Sequence, residues 1–404
     1  MRVLFLHSSF PAQFYRLSQA LASDPTNQVV FITSKEEGQL PGVHKFLYKP
    51  ARTAKAPTHP YVIPFENSVL TGQAVYRVAA ELKSQGFVPD IIVGHSGWGT
   101  TLFMKDLFPS TPFLCYFEWF SRAHGSVADF DKSESLTPDD ECRFRALNAT
   151  MLTDLYSCDQ GLSPTEYQKN QFPEEFRKKI TVLHDGVDTD YFKPQLGKKL
   201  VLPECQLDLS HTDEVITYVA RGMEPTRGFV QFMEAVEILL KRRPNLHVVV
   251  LGKDRTAYGP GLSNGQTYKE MVLEKLVLDL SRVHFVGLLP FDQYLAVLQA
   301  SSAHIYLTRP FVLSWSMMEA MSAGCLVIGS ATPPVQEVIE DGVNGLLVDF
   351  FSPQEIAART EEALDNRARM LEIRKRARET IWEKYALRKL LPQQIALLNS
   401  MITR

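Results

Sequence analysis

Short apolar runs recur along this chain, and most are followed by a stretch with helical spacing. Residues 3–7, 28–33, 91–94 and 113–117 are rich in Val, Ile, Leu and Phe, which predicts strands buried on both faces. Residues 14–22, 72–85 and 100–107 carry the helical period between them. A second series starts later. Its predicted strands are 215–220, 247–251, 283–285, 304–307, 326–328 and 346–348, and its predicted helices are 229–242, 268–278, 291–300 and 354–366. Strands separated by helices need crossover connections, so each series predicts an α/β domain built on a parallel sheet. Ser352-Pro-Gln-Glu355 reads as a capping box with proline in the first turn.

Between the series lies a stretch of weak periodicity with Pro194, Gly197 and Pro203. This predicts an N-terminal domain over 1–190, a linker over 191–212 and a C-terminal domain over 213–385. The segment 386–404 is left as a final helix. In doubly wound sheets ligands bind at the carboxyl ends of the strands, where the winding reverses. The loops after the strands are therefore where chemistry is sought.

Composition narrows the classes. A chain of 404 residues suits two domains, and 45% hydrophobic with 22% charged residues is ordinary for a globular protein. A formal net charge of −3 implies no general attraction to nucleic acid. The five cysteines are scattered, with no C-x-x-C pair, so reduced thiols in a cytoplasmic setting are expected rather than a disulfide framework or zinc site. The N-terminal apolar run is too short for a signal peptide, and no run of about 18 apolar residues occurs. Contact with a membrane surface stays open, as does the oligomeric state.

The densest chemical signal lies in 304–349. A strand leads to a turn, and a short helix begins at Ser314 and stops at Gly324. A helix N-terminus with its backbone N–H groups suits a diphosphate. Glu319, about one turn inside, leans back toward that end and can accept from two adjacent hydroxyls of a ribose. A second constellation is Arg221-Gly-Met-Glu-Pro-Thr-Arg227-Gly228, a loop between a strand and a helix. Its two guanidiniums suit phosphate and would stabilise the charge growing on a departing nucleoside diphosphate. No Asp-x-Asp pair stands at a strand end, so neither a metal nor another cofactor is expected.

Glu319 followed by Ala320-Met321-Ser322-Ala323-Gly324 resembles the nucleotide-sugar site of family 4 glycosyltransferases. The resemblance implies the GT-B architecture, two doubly wound Rossmann-like domains facing across a cleft, with the final helix over 386–404 packing back on the first domain. It also implies a retaining transfer from a nucleoside-diphosphate sugar, a UDP- or GDP-sugar, to an acceptor that the motif does not name. Arg221 matches the family's arginine, and Arg227-Gly228 stands for its Lys-Gly with one extra residue between. The family carries an earlier glutamate by the donor sugar, where this chain has Phe311, and Ser314 replaces a glycine. By the same resemblance the donor is met by Glu319, Phe311, Leu313, Ser314 and Trp315, and by Gly252, Lys253 and Leu288 at two other strand ends. In the N-terminal half, His95 and Glu118 stand at strand ends where the family places residues that meet the reacting sugars. Phe10, Gln13, Trp119, Arg122 and His124 are read as acceptor-side residues.

Two other classes are weighed. Gly94-His95-Ser96-Gly97-Trp98 nearly spells the nucleophile elbow of an α/β-hydrolase but has Trp98 where the final glycine belongs. Phe311 in place of a carboxylate motivates a protein that binds sugar nucleotides without transferring them.

Overall fold

The computed structural model describes residues 1–403 and contains two compact units, Met1–Asp185 with the C-terminal helix from Arg388, and Gly186–Leu387. The boundary at Asp185 and Gly186 falls before the stretch read as a linker.

The first unit is built on seven parallel strands: β1 (Arg2–Leu6), β2 (Gln28–Thr33), β3 (Val43–Leu47), β4 (Ile91–His95), β5 (Phe113–Tyr116), β6 (Gln160–Ser163) and β7 (Ile180–Val182). Their order is β3-β2-β1-β4-β5-β6-β7. The winding therefore reverses between β1 and β4, which pair in parallel from Val3 with Ile91 to Leu6 with Gly94. Alternation along the strands divides the core. Leu4, Leu6, Ile92, Phe113 and Cys115 pack on one face, and Val3, Phe5, Val93 and Leu114 on the other. Leu398 and Met401 of the helix Leu387–Ile402 belong to the second of these clusters, so that helix covers the sheet.

The second unit opens with a hairpin of β8 (Val201–Leu202) and β9 (Leu207–Asp208). Six parallel strands follow: β10 (Glu214–Gly222), β11 (Leu246–Lys253), β12 (Val283–Gly287), β13 (Ala303–Tyr306), β14 (Val327–Ser330) and β15 (Leu346–Val348). Their order is β12-β11-β10-β13-β14-β15, and the reversal lies between β10 and β13. The hairpin is part of this unit rather than a free linker. Leu200, Leu202, Leu207 and Leu209 pack against Val215, Val249, Leu251 and Val297.

Several elements differ from the sequence pattern for local reasons. Strand β3 is half-exposed with a mixed VHKFL sequence, and β7 is very short, so neither shows a buried-strand run. The polar ends of β6 hid it similarly. The helix expected over 100–107 starts only at Met104, because the Thr100 and Thr101 hydroxyls bond to His95 O and Asp154 instead. The helix expected over 72–85 begins earlier, at Ile63, and the one over 268–278 stops at Lys275. The helices Pro138–Leu147 and Arg367–Thr380 carry too many polar residues to show a clear apolar stripe. The capping box at Ser352 is half formed. Its Oγ accepts from Glu355 N, while the Glu355 carboxylate accepts from Asp349 N. Among the described residues, no helix is long and apolar enough to cross a membrane.

Candidate functional site

In the second unit, the loop after β10 and the loop after β13 meet at the reversal of the sheet. The first loop closes with Gly228 at φ 63°, where an added Cβ would meet Leu307 Cβ at 2.5 Å. Only glycine allows that approach, and it brings Arg227 beside the end of β13. Arg227 is buried, at 6% exposure. Its Nη1 donates to Thr308 Oγ1 at 2.9 Å and to Tyr306 Oη at 3.2 Å. The guanidinium also lies 5.4 Å from the Tyr258 ring centre and 5.8 Å from that of Phe311. Hydroxyls and ring faces hold this cation in place while leaving it positive. Arg221 is exposed, and its Nη1 reaches Tyr258 Oη at 3.4 Å.

Phe311 thus stands against Tyr258, ring centres 5.2 Å apart and edge to face, forming an aromatic corner around Arg227. The helix Trp315–Ser322 begins as expected, with Ser314 as its N-cap. Two of the N–H groups expected to be free at that end are already bonded. Ser314 N donates to Tyr306 Oη at 2.8 Å, and Ser316 N to Ser314 Oγ at 3.4 Å. The N-cap serine supplies the second partner that the family's glycine would lack. Glu319 lies on this helix, half-buried, and its Oε2 accepts from Tyr294 Oη at 2.8 Å. Burial and that carboxylate hold the Tyr294 phenol well above its ordinary range, so it remains a donor.

The remaining residues expected at the donor divide by exposure. Leu313 is buried in the core with Met317 and Met321, so only its backbone can meet a ligand. Trp315 and Leu288 are exposed, the latter just beyond β12. Gly252, next to last in β11, has φ 141°, and a Cβ there would strike Ala220 O at 2.3 Å, which gives that glycine a packing role. Lys253, next to it, is exposed.

In the first unit, the strand-end residues form a hydrogen-bonded chain. His7 follows β1, and its Nδ1 accepts from Ser9 N at 2.8 Å. Its Nε2 then carries the proton and donates to Gln13 Oε1 at 3.0 Å. Gln13 Nε2 donates to Glu118 Oε1 at 3.0 Å. His95, at the end of β4, bonds through Nδ1 to Ser96 O at 2.9 Å, so its Nε2 bears the lone pair. That nitrogen is buried without a hydrogen-bond partner, 3.8 Å from Glu118 Oε2. Burial pushes the His7 imidazole down to about 3 and that of His95 down to about 4, so both are neutral at neutral pH. Two acceptors, one imidazole nitrogen and one carboxylate, therefore lie side by side at these strand ends.

The other acceptor-side candidates are dispersed. Phe10 packs on Phe31 with ring centres 4.9 Å apart, under the Lys45 ammonium. Trp119 neighbours Tyr167 at 6.1 Å. Arg122 is exposed, and its carbonyl accepts from Ser126 Oγ. His124 is exposed and bonds to Glu141 at 3.1 Å. Ser96, the alternative nucleophile, is 1% exposed and donates to Asp154 Oδ2 at 2.6 Å. A hydroxyl turned into the core and spent on a carboxylate is no exposed elbow nucleophile, so the hydrolase reading is set aside.

The pattern search missed several residues of these clusters. His7 was hidden as one more residue of the first strand run. Tyr258 lies in a loop with no motif, and Tyr294, Tyr306 and Thr308 read as ordinary helix and strand residues. Only the fold brings them to the same strand ends.

Two parallel doubly wound units with charged strand-end loops define the class of the protein, and comparison with known proteins gives its family. The profile of the glycosyl transferase family 4 group matches residues 25–192, and that of glycosyl transferases group 1 matches residues 205–380. The chain belongs to the family 4 glycosyltransferases of the GT-B fold. Among curated proteins it is similar to D-inositol 3-phosphate glycosyltransferase of Corynebacterium glutamicum, 29% identical over 46% of this chain and 44% of that protein. The enzyme of the same name from Streptomyces avermitilis is 26% identical over 48% of this chain and 41% of that protein. The match thus spans less than half the length of these relatives. Among solved structures, HepE of Anabaena in complex with UDP-glucose aligns over 99% of this chain and all of that one, with a TM-score of 0.72 and 16% identity. Sucrose-phosphate synthase of Thermosynechococcus elongatus aligns over 100% and 99% of the two chains, with a TM-score of 0.75 and 17% identity.

Proposed function

We propose that this chain is a retaining glycosyltransferase that takes its sugar from a nucleoside-diphosphate sugar without a metal ion. The observation that carries the reading is the buried Arg227, positive and held by hydroxyls and ring faces, with Arg221 beside it at the same strand ends. Such a pair is built for an anion. It would bind the diphosphate and stabilise the charge that grows as the nucleoside diphosphate leaves. Glu319, fixed by Tyr294, would accept from the ribose hydroxyls. The acceptor hydroxyl would be met in the first unit by Glu118 and His95 Nε2. Retention needs no enzyme nucleophile if the leaving phosphate takes the acceptor's proton on the same face.

The HepE complex and the curated relatives select the first compounds to try, UDP-glucose as donor and D-inositol 3-phosphate as acceptor. The test is a thermal-shift screen of UDP-, GDP-, ADP- and TDP-sugars, followed by transfer assays with and without chelator. A ligand at a hundred times its dissociation constant stabilises the native state by about 2.7 kcal/mol. NMR of the product then reads the anomeric configuration. Stabilisation by none of the nucleotides rejects the donor assignment. Activity lost in chelator and restored by Mg²⁺ rejects the metal-free scheme, and an inverted product rejects retention. Binding without transfer to any acceptor would favour a sugar-nucleotide-binding protein, the reading that Phe311 motivates.

A further inference from the structure

Glu224 is the most costly residue in the loop after β10. It is fully buried, at 0% exposure. A buried carboxylate is expensive unless its charge is used. Glu224 Oε2 accepts from the backbone N–H groups of Ala257 and, at 3.1 Å, Tyr258. Its Oε1 is equally buried and lacks a hydrogen-bond partner. Its side-chain hydrogen bonds are therefore devoted to one task, holding the backbone at 257–258, while its charge also acts on Arg227 and Arg255. A second tie runs the same way, from Met223 N to Arg255 O at 3.0 Å. The segment held in this way carries one large side chain into the site. Tyr258 meets Arg221 through its hydroxyl, and Arg227 and Phe311 through its ring.

We infer that Glu224 is a positioning residue and Tyr258 a diphosphate-site residue, the carboxylate pinning the Arg255–Tyr258 backbone so that Tyr258 sets both arginines for the anion. The inference rests on the donor reading given above. The ring of Tyr258 limits where the Arg227 guanidinium can lie, and its hydroxyl restrains the long, exposed side chain of Arg221. A cation restrained before binding loses less entropy when the anion arrives.

The test combines a ligand-free measurement with a binding measurement. Amide hydrogen exchange over residues 254–260 and affinity for UDP and GDP by calorimetry are compared among wild type, Glu224→Gln, Glu224→Ala, Tyr258→Phe, Tyr258→Ala and the double alanine variant. Exchange at Ala257 and Tyr258 is expected to quicken about tenfold in Glu224→Ala, since a lost charged hydrogen bond exposes both amides. It should stay near wild type in Glu224→Gln, whose amide oxygen still accepts both N–H groups. Nucleotide dissociation constants are expected to rise about tenfold in Glu224→Ala and in Tyr258→Ala, and less in Tyr258→Phe, which keeps the ring. The double variant should bind no worse than Tyr258→Ala, because Glu224 acts through Tyr258. Unchanged exchange in Glu224→Ala, or losses that add in the double variant, would overturn the inference. If Glu224→Ala does not fold, wild-type affinity in Tyr258→Ala overturns it instead. Failure of the wild type to bind either nucleotide overturns the proposed function and the role of Tyr258, while the exchange result still decides the clamp.

Discussion

The two units share one winding scheme yet carry opposite chemistry at the same place. Where the sheet reverses in the first unit, the loops after β1, β4 and β5 present two neutral histidines, a glutamine and a carboxylate. Where it reverses in the second, the loops after β10 and β13 present two guanidiniums and an aromatic corner. Topology fixes where a ligand can sit, and the loop side chains decide what charge it carries. On the proposed function, the second unit would recognise the anion and the first the acceptor hydroxyl.

The strongest challenge to that division is Arg227→Ala. Removing a preorganised cation from a site of developing negative charge should lower kcat/KM by about 100-fold or more. Arg227→Lys should retain part of the activity, because the charge stays and the fork is lost. Steady-state kinetics on the donor identified by the screen reads both, and near-wild-type rates in Arg227→Ala would end the assignment.

Glu319→Ala comes next. Loss of a charged hydrogen bond to the ribose should weaken nucleoside-diphosphate binding by roughly 1.5–3 kcal/mol. Calorimetry on a variant with wild-type circular dichroism measures this, and unchanged affinity would reject the ribose contact.

Glu118→Gln sharpens the other half of the comparison. If the first unit meets the acceptor hydroxyl, kcat should fall about tenfold while nucleotide affinity stays within twofold, in line with an orienting role. A loss of nucleotide affinity with unchanged kcat would move Glu118 to the donor side.

Beneath the first-unit cluster, Asp154 accepts from Ser96 and Thr101, and burial raises its carboxyl to about 6. A carboxyl raised on folding contributes stability below its unfolded value near 3.8, and the contribution is lost as pH rises through about 6. Asp154→Asn should therefore gain stability relative to wild type between pH 4 and pH 7.5, on the order of 2–3 kcal/mol. Denaturant midpoints at the two pH values test the sign, and an equal difference at both would mean that Asp154 stays charged in the fold.

The smallest expected change is in Phe311→Glu. A carboxylate there would face the Tyr258 ring and the Arg227 guanidinium, so it should pair with the cation rather than simply raise the rate. The ranking of sugar donors is expected to shift, and an unaltered ranking in a donor panel would show that Phe311 does not line the reacting sugar.

Alternating buried runs and helical stretches were enough to announce two parallel α/β units, because a strand buried on both faces must be apolar throughout. The Ser314 cap, the stop at Gly324 and the pair Arg221 and Arg227 were legible for a similar reason: caps, turns and phosphate loops demand particular residues at short spacing. Strands β3, β6 and β7 were not legible, since edge position and brevity remove the need for an apolar run. Nor was the hairpin at 201–208, whose leucines gain meaning only against Val249 and Leu251. The partners of the site residues belong wholly to tertiary structure. That His7 reaches Glu118 through Gln13, that Tyr258 stands between two arginines, and that Ser96 turns inward to Asp154 depend on residues distant in the chain. Local sequence sets backbone conformation within a few residues. The contacts that orient these side chains are made across the sheet, where the strand order decides which loops meet.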